Sequence, residues 1–491
     1  MLDHTNLISM LKDPTLLATH GYVNGEWIAA DDGTTFDVVN PARKDTIVSL
    51  PNLGVAETRR GIAGAQVAQK LWAARTAKDR SEIILNWYNL MIENSDDLAT
   101  ILTAEMGKPL AEAKGEIMYG ASFVQWFAEE AKRVYGETIP GHQTDKRLMV
   151  IKQPVGVVAA ITPWNFPNAM ITRKAAPALA VGCSILCRPA SETPLSALAM
   201  AVLAERAGIP KGVFSVIPST HSKAIGQEFC SNPIVRKITF TGSTEVGRIL
   251  IKQAGEQIKK VSMELGGNAP FIVFDDANVD DAVSGAMICK YRNNGQTCVC
   301  ANRIYVQSGI YEEFSQKLAE ATQSLVLGDG FGDGVNTGPL INQAAVNKVV
   351  AHIEDAKDKG ASVITGGSRS ELGGYWFEPT VLTNVTQDMM VAHDETFGPL
   401  APIFKFESDE EVVELANDTI FGLAAYFYTK DVSRVWKVAE DLEYGIVGIN
   451  TGIFSSESAP FGGIKQSGIG REGSRHGIED YLEMKYICLS I

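Results

Sequence analysis

Short runs of apolar residues alternate with amphipathic stretches through the middle of the chain. Successive runs start 28, 28, 24 and 23 residues apart, near Val157, Ile185, Val213, Lys237 and Lys260. Between them lie stretches with apolar residues at three- and four-residue spacing, such as Pro194–Ala207 and Glu245–Gln253. Continuous apolar strands that alternate with helices are typical of a parallel sheet covered on both faces. The pattern predicts a five-stranded parallel α/β unit, with or without a bound nucleotide.

A second α/β region starts near Pro270. The run FIVF is predicted to be a strand, and it is followed by a helix over Val279–Arg292, a strand over Arg303–Gln307 and a helix over Tyr311–Leu325. Three further helix–strand pairs follow: Asn347–Lys359 before SVIT, Asp409–Asn417 before AAYFY, and Ser433–Leu442 before GIVGIN. The sequence therefore predicts two successive α/β domains.

The remaining segments differ from this scheme. The chain before about residue 135 is predicted to be mostly helical, with helices over Arg80–Glu93 and Ser95–Met106. Two apolar, strand-like segments, Lys146–Lys152 and Tyr481–Ile491, belong to neither α/β region. Because exposed strands invite pairing with another chain, we interpret both as subunit contacts of a homodimer or homotetramer. Edge strands within one chain are the alternative.

Composition narrows the class of protein. The 491 residues carry 58 acidic and 44 basic side chains, a net charge of −14, which argues against nucleic acid or an anionic membrane as a partner. No apolar run reaches the roughly 18 residues of a membrane helix. The N-terminus lacks the features of a signal peptide. Seven cysteines predict no disulfide framework, so a reducing, cytoplasmic location fits best.

Among the cysteines, Cys298 is the candidate nucleophile. It lies in NNGQTCVCAN, between a helix and a strand, where Gly295 allows close backbone approach. A junction cysteine can be partly exposed and reach the thiolate form. The others occur in apolar patterns and are predicted to be buried and inert: Cys183, Cys187, Cys230, Cys289 and Cys488.

Cys298 and Cys300 form a C-x-C pair. With no second pair and no histidine cluster nearby, a zinc site is not expected, and we predict no metal site. A redox pair and mere adjacency in sequence both stay open.

Three other segments suit chemistry at strand ends. Glu264 follows an apolar strand, where open α/β sheets bind ligands, although a solvated loop acid looks the same. The turn FTGSTEVG opens a helix whose first N–H groups could face a pyrophosphate, but it lacks the G-x-G-x-x-G pattern. In PWNFP, two prolines could hold the Asn165 amide ready for an oxyanion, or form an ordinary turn.

Taken together, these motifs resemble the aldehyde dehydrogenase superfamily. The collinear set comprises PWNFP (163–167), FTGSTEVG (240–247), MELGGNAP (263–270), GQTC (295–298), ETFGP (395–399) and PFGGIKQSGIGRE (460–472). Glu264 and Cys298 keep the family's separation of 34 positions (298 − 264). The resemblance implies that Cys298 attacks an aldehyde, that Asn165 and the Cys298 N–H hold the oxyanion, and that Glu264 activates water. Lys174 and Glu472 match a proton relay.

The resemblance also implies a fold and its division. It predicts a Rossmann-like NAD(P)-binding domain (1–135 and 156–265), a catalytic domain (266–462), and a β-strand oligomerisation arm with the C-terminal tail (136–155 and 463–491). The positions that match cofactor contacts of the family are Thr162, Pro163, Trp164, Arg188, Ser191, Gly242, Ser243, Gly247, Leu265, Glu395 and Phe397.

The turn after the strand ILCR bears on the cofactor. Relatives often carry Lys at position 188 and, when they prefer NAD, Glu at position 191. Here Arg188 offers a phosphate-binding fork and Ser191 does not repel a 2′-phosphate, so we expect NADP to be preferred over NAD. His221 and Lys223 could also reach a phosphate, although solvated side chains are the simpler interpretation.

The substrate is predicted from two arginines and a serine. ITRK, YRNNGQTCVCAN and the approach to SAPFGG resemble the succinate-semialdehyde dehydrogenase branch, in which positions matching Arg173, Arg292 and Ser455 bind the far carboxylate of the substrate. Internal ion pairing of the arginines is the alternative, and glutarate semialdehyde or a broader range of aldehydes are rival substrates.

In this branch some members use the pair matching Cys298 and Cys300 as a redox lock. Glu264 argues against an acyltransferase that uses coenzyme A, and the intact set of motifs argues against a non-catalytic binding protein.

Overall fold

The computed structural model describes residues 2–491. Its helices are α1 His4–Met10, α2 Val55–Ala73, α3 Ala77–Glu93, α4 Ser95–Met106, α5 Leu110–Glu130, α6 Ala169–Val181, α7 Leu195–Ala207, α8 Ser222–Ser231, α9 Thr244–Gly255, α10 Val279–Tyr291, α11 Tyr311–Gln323, α12 Gln343–Asp358, α13 Met390–His393, α14 Asp409–Asn417 and α15 Val432–Asp441. The strands are β1 Gly21–Val23, β2 Glu26–Ile28, β3 Thr35–Val39, β4 Thr46–Pro51, β5 Glu137–Ile139, β6 Lys146–Pro154, β7 Val157–Ile161, β8 Ser184–Arg188, β9 Phe214–Val216, β10 Val235–Thr241, β11 Lys260–Glu264, β12 Ala269–Val273, β13 Ala301–Gln307, β14 Ser362–Thr365, β15 Thr380–Thr383, β16 Leu400–Phe406, β17 Ala424–Tyr428, β18 Ile446–Ile449, β19 Gly468–Ile469 and β20 Leu482–Ser490.

The first sheet confirms the five-stranded parallel unit. Its order is β19-β11-β10-β7-β8-β9-β1-β2, and the five strands from β11 to β9 run parallel. Three short antiparallel strands extend it: the hairpin of β1 and β2 at one edge and β19 at the other. The expectation of a mostly helical N-terminal part holds only from α2 onward, since β1 to β4 precede it. These strands are three to six residues long, too short for a clear period-2 pattern.

The second sheet has the order β14-β15-β16-β13-β12-β17-β18, with only β14 antiparallel to its neighbour. The predicted strands of the second α/β region are all present. Two unpredicted strands lie inside the sheet: β16 pairs with β13, and β15 pairs with the other side of β16. The Pro402 within β16 interrupts a strand-like pattern, which is why sequence reasoning overlooks this element.

The third sheet consists of β20, β6 and β5. The two apolar segments outside the α/β regions pair with each other, from Leu482 opposite Pro154 to Ser490 opposite Lys146. Several of their large apolar side chains are exposed in the single chain: Met149, Ile151, Met484, Tyr486 and Leu489. A subunit contact on this arm stays a prediction. The segment that precedes β20 has another role, because β19 pairs with β11 of the first sheet.

Both α/β sheets are covered by helices and have separate apolar cores. Within residues 2–491, no helix is long and apolar enough to cross a membrane. The same residues contain no group of three or more His, Cys, Asp or Glu side chains that could hold a metal ion.

Candidate active site

Cys298 lies in the loop between α10 and β13, at the boundary of two cavities of about 270 and 520 Å³. The loop turns sharply because Asn293, Asn294 and Gly295 all adopt left-handed conformations. A Cβ at Gly295 would lie 2.2 Å from the Gly398 carbonyl oxygen, so only glycine fits. The close backbone approach expected at this glycine is therefore present, and it places the half-buried Cys298 between the two cavities.

The resting thiol is protonated rather than poised as a thiolate. Burial raises the pKa of Cys298 to about 12, against an opposing effect of the Arg173 cation. The partial exposure expected of this junction cysteine is present, but burial works against the thiolate form that was also expected. The surrounding protein desolvates the sulfur, so a base must remove its proton before it can act as a nucleophile.

Asn165 is held rigidly beside this loop. Its side chain is 5% exposed, and Nδ2 donates to the Gln296 carbonyl at 2.9 Å. Its own carbonyl accepts from Lys108 Nζ at 2.8 Å and from Asn293 Nδ2 at 3.0 Å. An amide nitrogen carries two hydrogens, so one remains for an oxyanion. The structure thus brings the predicted oxyanion donor and Cys298 together at the second cavity.

A buried ion pair that sequence reasoning missed fixes the Asn165 loop. Lys108 Nζ lies 2.6 Å from Glu116 Oε2, and both side chains are about 1% exposed. Glu116 Oε1 in turn accepts the N–H groups of Asn168 and Ala169 at the start of α6. No local sequence motif predicts this pair. Glu116 lies on α5, Lys108 lies in the turn before α5, and the groups that they bind lie in the loop before α6 and at the start of that helix. Only the Gly107–Pro109 helix end marks the position of Lys108 in the sequence.

Glu264 ends β11, where β10, β11 and β19 meet. Its carboxylate is buried, and Oε2 has no hydrogen-bond partner within residues 2–491. Burial, reinforced by the Glu472 charge, raises the pKa of Glu264 well above its ordinary value. A carboxylate with a raised pKa and an unpartnered oxygen is suited to take up a proton.

Lys174 and Glu472 form the contact that the motif match predicted. Lys174 Nζ lies 2.6 Å from Glu472 Oε1 and 2.5 Å from Thr241 Oγ1. Arg173 Nε donates to the other carboxylate oxygen, Oε2, at 2.7 Å. Although burial opposes its ionisation, the Lys174 and Arg173 cations lower the pKa of Glu472. The alternative that an arginine pairs internally is thus realised for Arg173, but only through Nε.

The smaller cavity collects the three predicted substrate residues. Its charged and polar lining consists of Arg173, Arg292, Ser455, Tyr119, Lys108, Glu112 and Glu116. Arg173 is 2% exposed, yet its second terminal nitrogen has no hydrogen-bond partner in the described chain. Arg292 forms no ion pair among residues 2–491, and its guanidinium carbon lies 5.5 Å from the Phe166 ring centre. Two incompletely paired arginines beside Cys298 can bind an anionic group.

Glu112 is a second residue of this cavity that the sequence did not reveal. Its two carboxylate oxygens accept the N–H of Asn293 at 3.2 and 3.0 Å. Burial raises the pKa of Glu112, with Lys108 opposing. Its contact with the loop before Cys298 arises from tertiary packing of α5, and the sequence around it carries no signal for that contact.

The larger cavity collects seven of the predicted cofactor residues: Pro163, Trp164, Gly242, Ser243, Leu265, Glu395 and Phe397. Ser243 caps α9, so the first-turn N–H groups of this helix open toward the cavity end formed by Gly242 and Ser243. The rings of Trp164 and Phe397 meet edge to face at 5.6 Å. A Cβ at Gly247 would lie 2.5 Å from Leu265 Cδ2, so this glycine lets α9 approach β11.

Glu395 is the carboxylate of the larger cavity. Its Oε1 accepts the Gly267 N–H at 3.0 Å, and burial raises its pKa to about 7. A Cβ at Gly267 would lie 2.4 Å from the Cys298 carbonyl oxygen, which keeps this turn against the nucleophile loop. The helix N-terminus, the aromatic pair and one hydrogen-bonding carboxylate fit a dinucleotide whose reactive ring points toward Cys298.

Arg188, Ser191 and Thr162 lie beyond the lining of that cavity. Arg188 donates to the Ser219 carbonyl at 2.7 Å and keeps a buried, unpartnered Nε, while Thr162 N–H donates to the Arg188 carbonyl. Ser191 Oγ donates to Glu192 Oε2 at 3.1 Å. A carboxylate thus lies next to the hydroxyl, a feature that residue 191 considered alone does not reveal.

The remaining cysteines divide by their position. Cys300 is fully buried, with Sγ 3.2 Å from Lys290 Nζ and 3.4 Å from the Lys290 carbonyl oxygen. Four of the five predicted inert cysteines are buried. The prediction is wrong for Cys488, which is exposed because β20 forms the outer strand of the arm. The proposed pairing of Cys298 with Cys300 stays a prediction.

Comparisons with known proteins agree with this geometry. A family model for the aldehyde dehydrogenase family matches residues 27–487. A 3-sulfolactaldehyde dehydrogenase of Pseudomonas putida is 63% identical over 98% of each chain, and a glutarate-semialdehyde dehydrogenase of Pseudomonas aeruginosa is 62% identical over 98% of this chain and 99% of the relative. An NADP(+) succinate-semialdehyde dehydrogenase of Escherichia coli is 60% identical over 98% of this chain and 100% of the relative.

The fold agrees as well. The crystal structure of a succinate-semialdehyde dehydrogenase from Burkholderia pseudomallei superimposes with a TM-score of 0.97 at 60% identity, covering 98% of this chain and 100% of that one. The family model spans both α/β sheets and reaches into the arm strand β20. Sequence, fold and site geometry thus point the same way, and the chain belongs to the aldehyde dehydrogenase family.

Proposed function

We propose that this chain oxidises succinate semialdehyde to succinate, with NADP as the preferred hydride acceptor and NAD as a weaker one. The observation that carries the proposal is the position of Cys298 between a cavity with two arginines and a cavity shaped for a dinucleotide. Relatives at 60% identity bear the same activity in their names, one of them as an NADP(+) enzyme. The incompletely paired nitrogens of Arg173 and Arg292 explain why an ω-carboxylated aldehyde is favoured.

Covalent attachment of the substrate is the first step. Glu264 takes the Cys298 proton and passes it on through Glu472 and Lys174, while the sulfur bonds the aldehyde carbon and the carbonyl electrons move to oxygen. Asn165 Nδ2 and the Cys298 backbone N–H then donate to this oxyanion. Arg173, Arg292 and Ser455 hold the far carboxylate, so the carbon is oriented before attack.

The second step releases the acid. The chemistry that a bound nicotinamide would supply is the acceptance of a hydride from the carbon attached to Cys298, which would leave the acyl group on Cys298 as a thioester. Water then bonds the acyl carbon while one of its protons passes to Glu264, and the C–S bond breaks to give the carboxylic acid and the Cys298 thiolate. Glu472 and Lys174 carry the proton onward from Glu264. The residues that would hold the nicotinamide half are Pro163, Trp164, Gly242, Ser243, Leu265, Glu395 and Phe397. Gly247 lies behind Leu265, and Thr162, Arg188 and Ser191 would lie toward the ribose phosphate.

Glutarate semialdehyde and 3-sulfolactaldehyde are the rival substrates. Relatives at 62% and 63% identity are named for them, so overall identity does not choose among the three aldehydes. One extra methylene discriminates by only about 1–3 kcal/mol, whereas two arginines serve a carboxylate and a sulfonate alike. The four-carbon acid remains our choice because the motifs ITRK and YRNNGQTCVCAN resemble the succinate-semialdehyde dehydrogenase branch.

The test is a grid of initial rates at 340 nm, with four aldehydes and two cofactors. The aldehydes are succinate semialdehyde, glutarate semialdehyde, 3-sulfolactaldehyde and butanal; the cofactors are NADP and NAD. We expect the highest kcat/KM for succinate semialdehyde with NADP. Equal values for butanal would overturn the arginine assignment, and a preference for NAD would overturn the assignment of Arg188 and Ser191 but leave the chemistry intact.

Two further proposals concern the protein in the cell. We propose a homodimer or homotetramer formed through the exposed arm strands, and a cytoplasmic location, which the few cysteines favour. Sedimentation velocity of the purified chain, compared with a variant carrying Met484→Lys and Tyr486→Lys, tests the arm. A lysine pair that leaves the sedimentation coefficient unchanged would exclude this interface.

We also propose that Cys298 and Cys300 act as a reversible redox pair. Peroxide would supply the oxidant: two thiols lose two protons and two electrons, a disulfide forms, and peroxide is reduced to water. Cys300→Ala should abolish the part of peroxide inactivation that dithiothreitol reverses. Reversible inactivation that persists in this variant would contradict the pair.

A further inference from the structure

Arg173 contacts two parts of the site at once. Its Nε donates to Glu472 Oε2 at 2.7 Å, on the side of the proton relay. Its other edge lines the substrate cavity, where one terminal nitrogen lies 3.5 Å from Tyr119 Oη and the other has no partner among residues 2–491. The Phe461 ring lies under the guanidinium at 4.1 Å from its carbon to the ring centre.

Glu472 is held by two neighbouring residues of one helix. Lys174 and Arg173, consecutive on α6, approach Oε1 and Oε2 respectively at 2.6 and 2.7 Å. The Glu472 backbone is fixed as well, since it exchanges two hydrogen bonds with Phe461 at 2.7 and 2.8 Å. Each carboxylate oxygen thus has its own cation, and loss of either cation frees one oxygen in a buried site.

We propose that Arg173 is a positioning residue for Glu472, so that one guanidinium both receives the far anion of the substrate and holds the relay carboxylate in place for release of the acid. The anion half of this statement rests on the proposed function, whereas the Glu472 half stands on the hydrogen bond itself. An enzyme built in this way couples substrate recognition to proton transfer, because the same cation serves both.

The electrostatic consequence has a definite sign. Arg173 stabilises the charged forms of both Glu472 and Glu264, so its removal should raise the pKa of each carboxyl. The low-pH limb of kcat should therefore move to higher pH. The charged or titratable groups that act on Glu472, or on which it acts, are Arg173 and Lys174 on α6, Glu264 on β11, Lys237 on β10, Tyr119 on α5, and Tyr481 before β20.

The experiment uses an aldehyde without a far anion. With butanal and saturating NADP, a pure carboxylate receptor has nothing to bind, so Arg173→Met should then have little effect on kcat. Our proposal predicts instead at least a tenfold loss of kcat for butanal and an upward shift of the low-pH limb. Arg173→Lys keeps a cation near Glu472 and should restore part of kcat.

Arg292→Met is the matched comparison, since it removes the cavity arginine that has no carboxylate partner. Its main effect should be a higher KM for succinate semialdehyde, with a loss of butanal kcat at least fivefold smaller than that of Arg173→Met. In a Glu472→Gln background, Arg173→Met should lower butanal kcat little further, because the positioned carboxylate is already gone.

Two results would overturn the proposal. One is a wild-type kcat and pH profile for butanal in Arg173→Met; the other is full, multiplicative losses when Arg173→Met and Glu472→Gln are combined. If Arg173→Met fails to fold, Arg173→Gln takes its place, and an unshifted low-pH limb of kcat for butanal in that neutral variant would overturn the link. Failure of the proposed substrate appears separately, as a wild-type enzyme that does not prefer succinate semialdehyde to butanal.

Discussion

The two cavities that meet at Cys298 are built on different principles. The smaller one is lined by five charged side chains, Lys108, Glu112, Glu116, Arg173 and Arg292. The larger one has only two charged side chains, Lys348 and Glu395, and is otherwise shaped by glycines, a helix N-terminus, three aromatic rings and several apolar side chains. Recognition on the substrate side is therefore mainly electrostatic, whereas the cofactor side depends on backbone shape.

The difference explains why relatives of this chain differ in substrate while keeping one chemistry. An arginine pair accepts any small anion of suitable length, so modest changes of lining residues redirect it. A cradle made of backbone tolerates less change, because a Cβ at Gly247 or Gly267 would lie about 2.5 Å or less from neighbouring atoms.

The largest loss of activity should come from substitution of Cys298, which lies at the boundary of the two cavities. Cys298→Ser removes the nucleophile but neither cavity, so kcat should fall on the order of 10⁴-fold or more. Quenching of tryptophan fluorescence by NADPH should persist, since Trp164 and the cradle are unchanged. The control is Cys488→Ser on the exposed arm strand, and substantial turnover by Cys298→Ser would contradict the assignment of the nucleophile.

The next largest effect should come from the buried ion pair of Lys108 and Glu116, which lines the smaller cavity. Lys108→Met leaves Glu116 as a buried, unpaired charge, which should cost about 3–5 kcal/mol in the free energy of unfolding. Thermal denaturation should register this loss, and kcat should fall because the Asn165 carbonyl loses one of its two donors. Lys12→Met, which removes an exposed ion pair with Asp96, should leave the melting temperature nearly unchanged. Equal melting temperatures for the two variants would contradict a structural role for the buried pair.

A smaller effect should separate charge from shape in the substrate cavity. Arg292→Met should raise KM for succinate semialdehyde about 30- to 100-fold, consistent with the loss of a charge-assisted hydrogen bond of about 2–3 kcal/mol. The KM for butanal should change much less, because that aldehyde carries no far anion. Parallel changes for both aldehydes in steady-state assays would mean that Arg292 has a structural role only.

The smallest effect concerns the carboxylate of the larger cavity. Burial raises the pKa of Glu395 to about 7, so this carboxyl gains a proton as the pH falls through that value. Protonation weakens it as a hydrogen-bond acceptor for a ribose, and the KM for NADP should rise a few-fold between about pH 8 and pH 6. Glu395→Gln should flatten this dependence. A pH profile identical to that of the wild type would show that another group titrates.

The sequence predicted the framework of both domains better than it predicted the contacts between distant segments. Apolar strands in the first sheet are buried on both faces, so their runs are easy to recognise. The N-terminal hairpins were not predicted because their strands are too short to show a pattern. The strand β16 was not predicted because Pro402 interrupts its pattern. The motifs identified Cys298, Asn165, Glu264 and their partners from the sequence, because each of these residues lies in a turn with a distinctive sequence.

Lys108, Glu112 and Glu116 escaped for a different reason. They act across 52 to 181 positions in the chain, on the Asn165 carbonyl and on the N–H groups of Asn168, Ala169 and Asn293, and no local pattern encodes such pairings. The raised pKa of the Cys298 thiol was likewise not predictable from local sequence. The partial exposure of a junction residue was predictable, but the desolvation of Cys298 depends on the side chains that pack around it.

The guanidinium of Arg292, which forms no ion pair within residues 2–491, also has a consequence for handling the enzyme. Such a cation attracts any small anion in solution, including the dicarboxylate that the reaction produces. Succinate should therefore act as a competitive inhibitor toward the aldehyde, and turnover should slow as the acid accumulates. Sulfate and phosphate should compete in the same way, so kinetic constants measured in phosphate buffer will understate the affinity for the aldehyde.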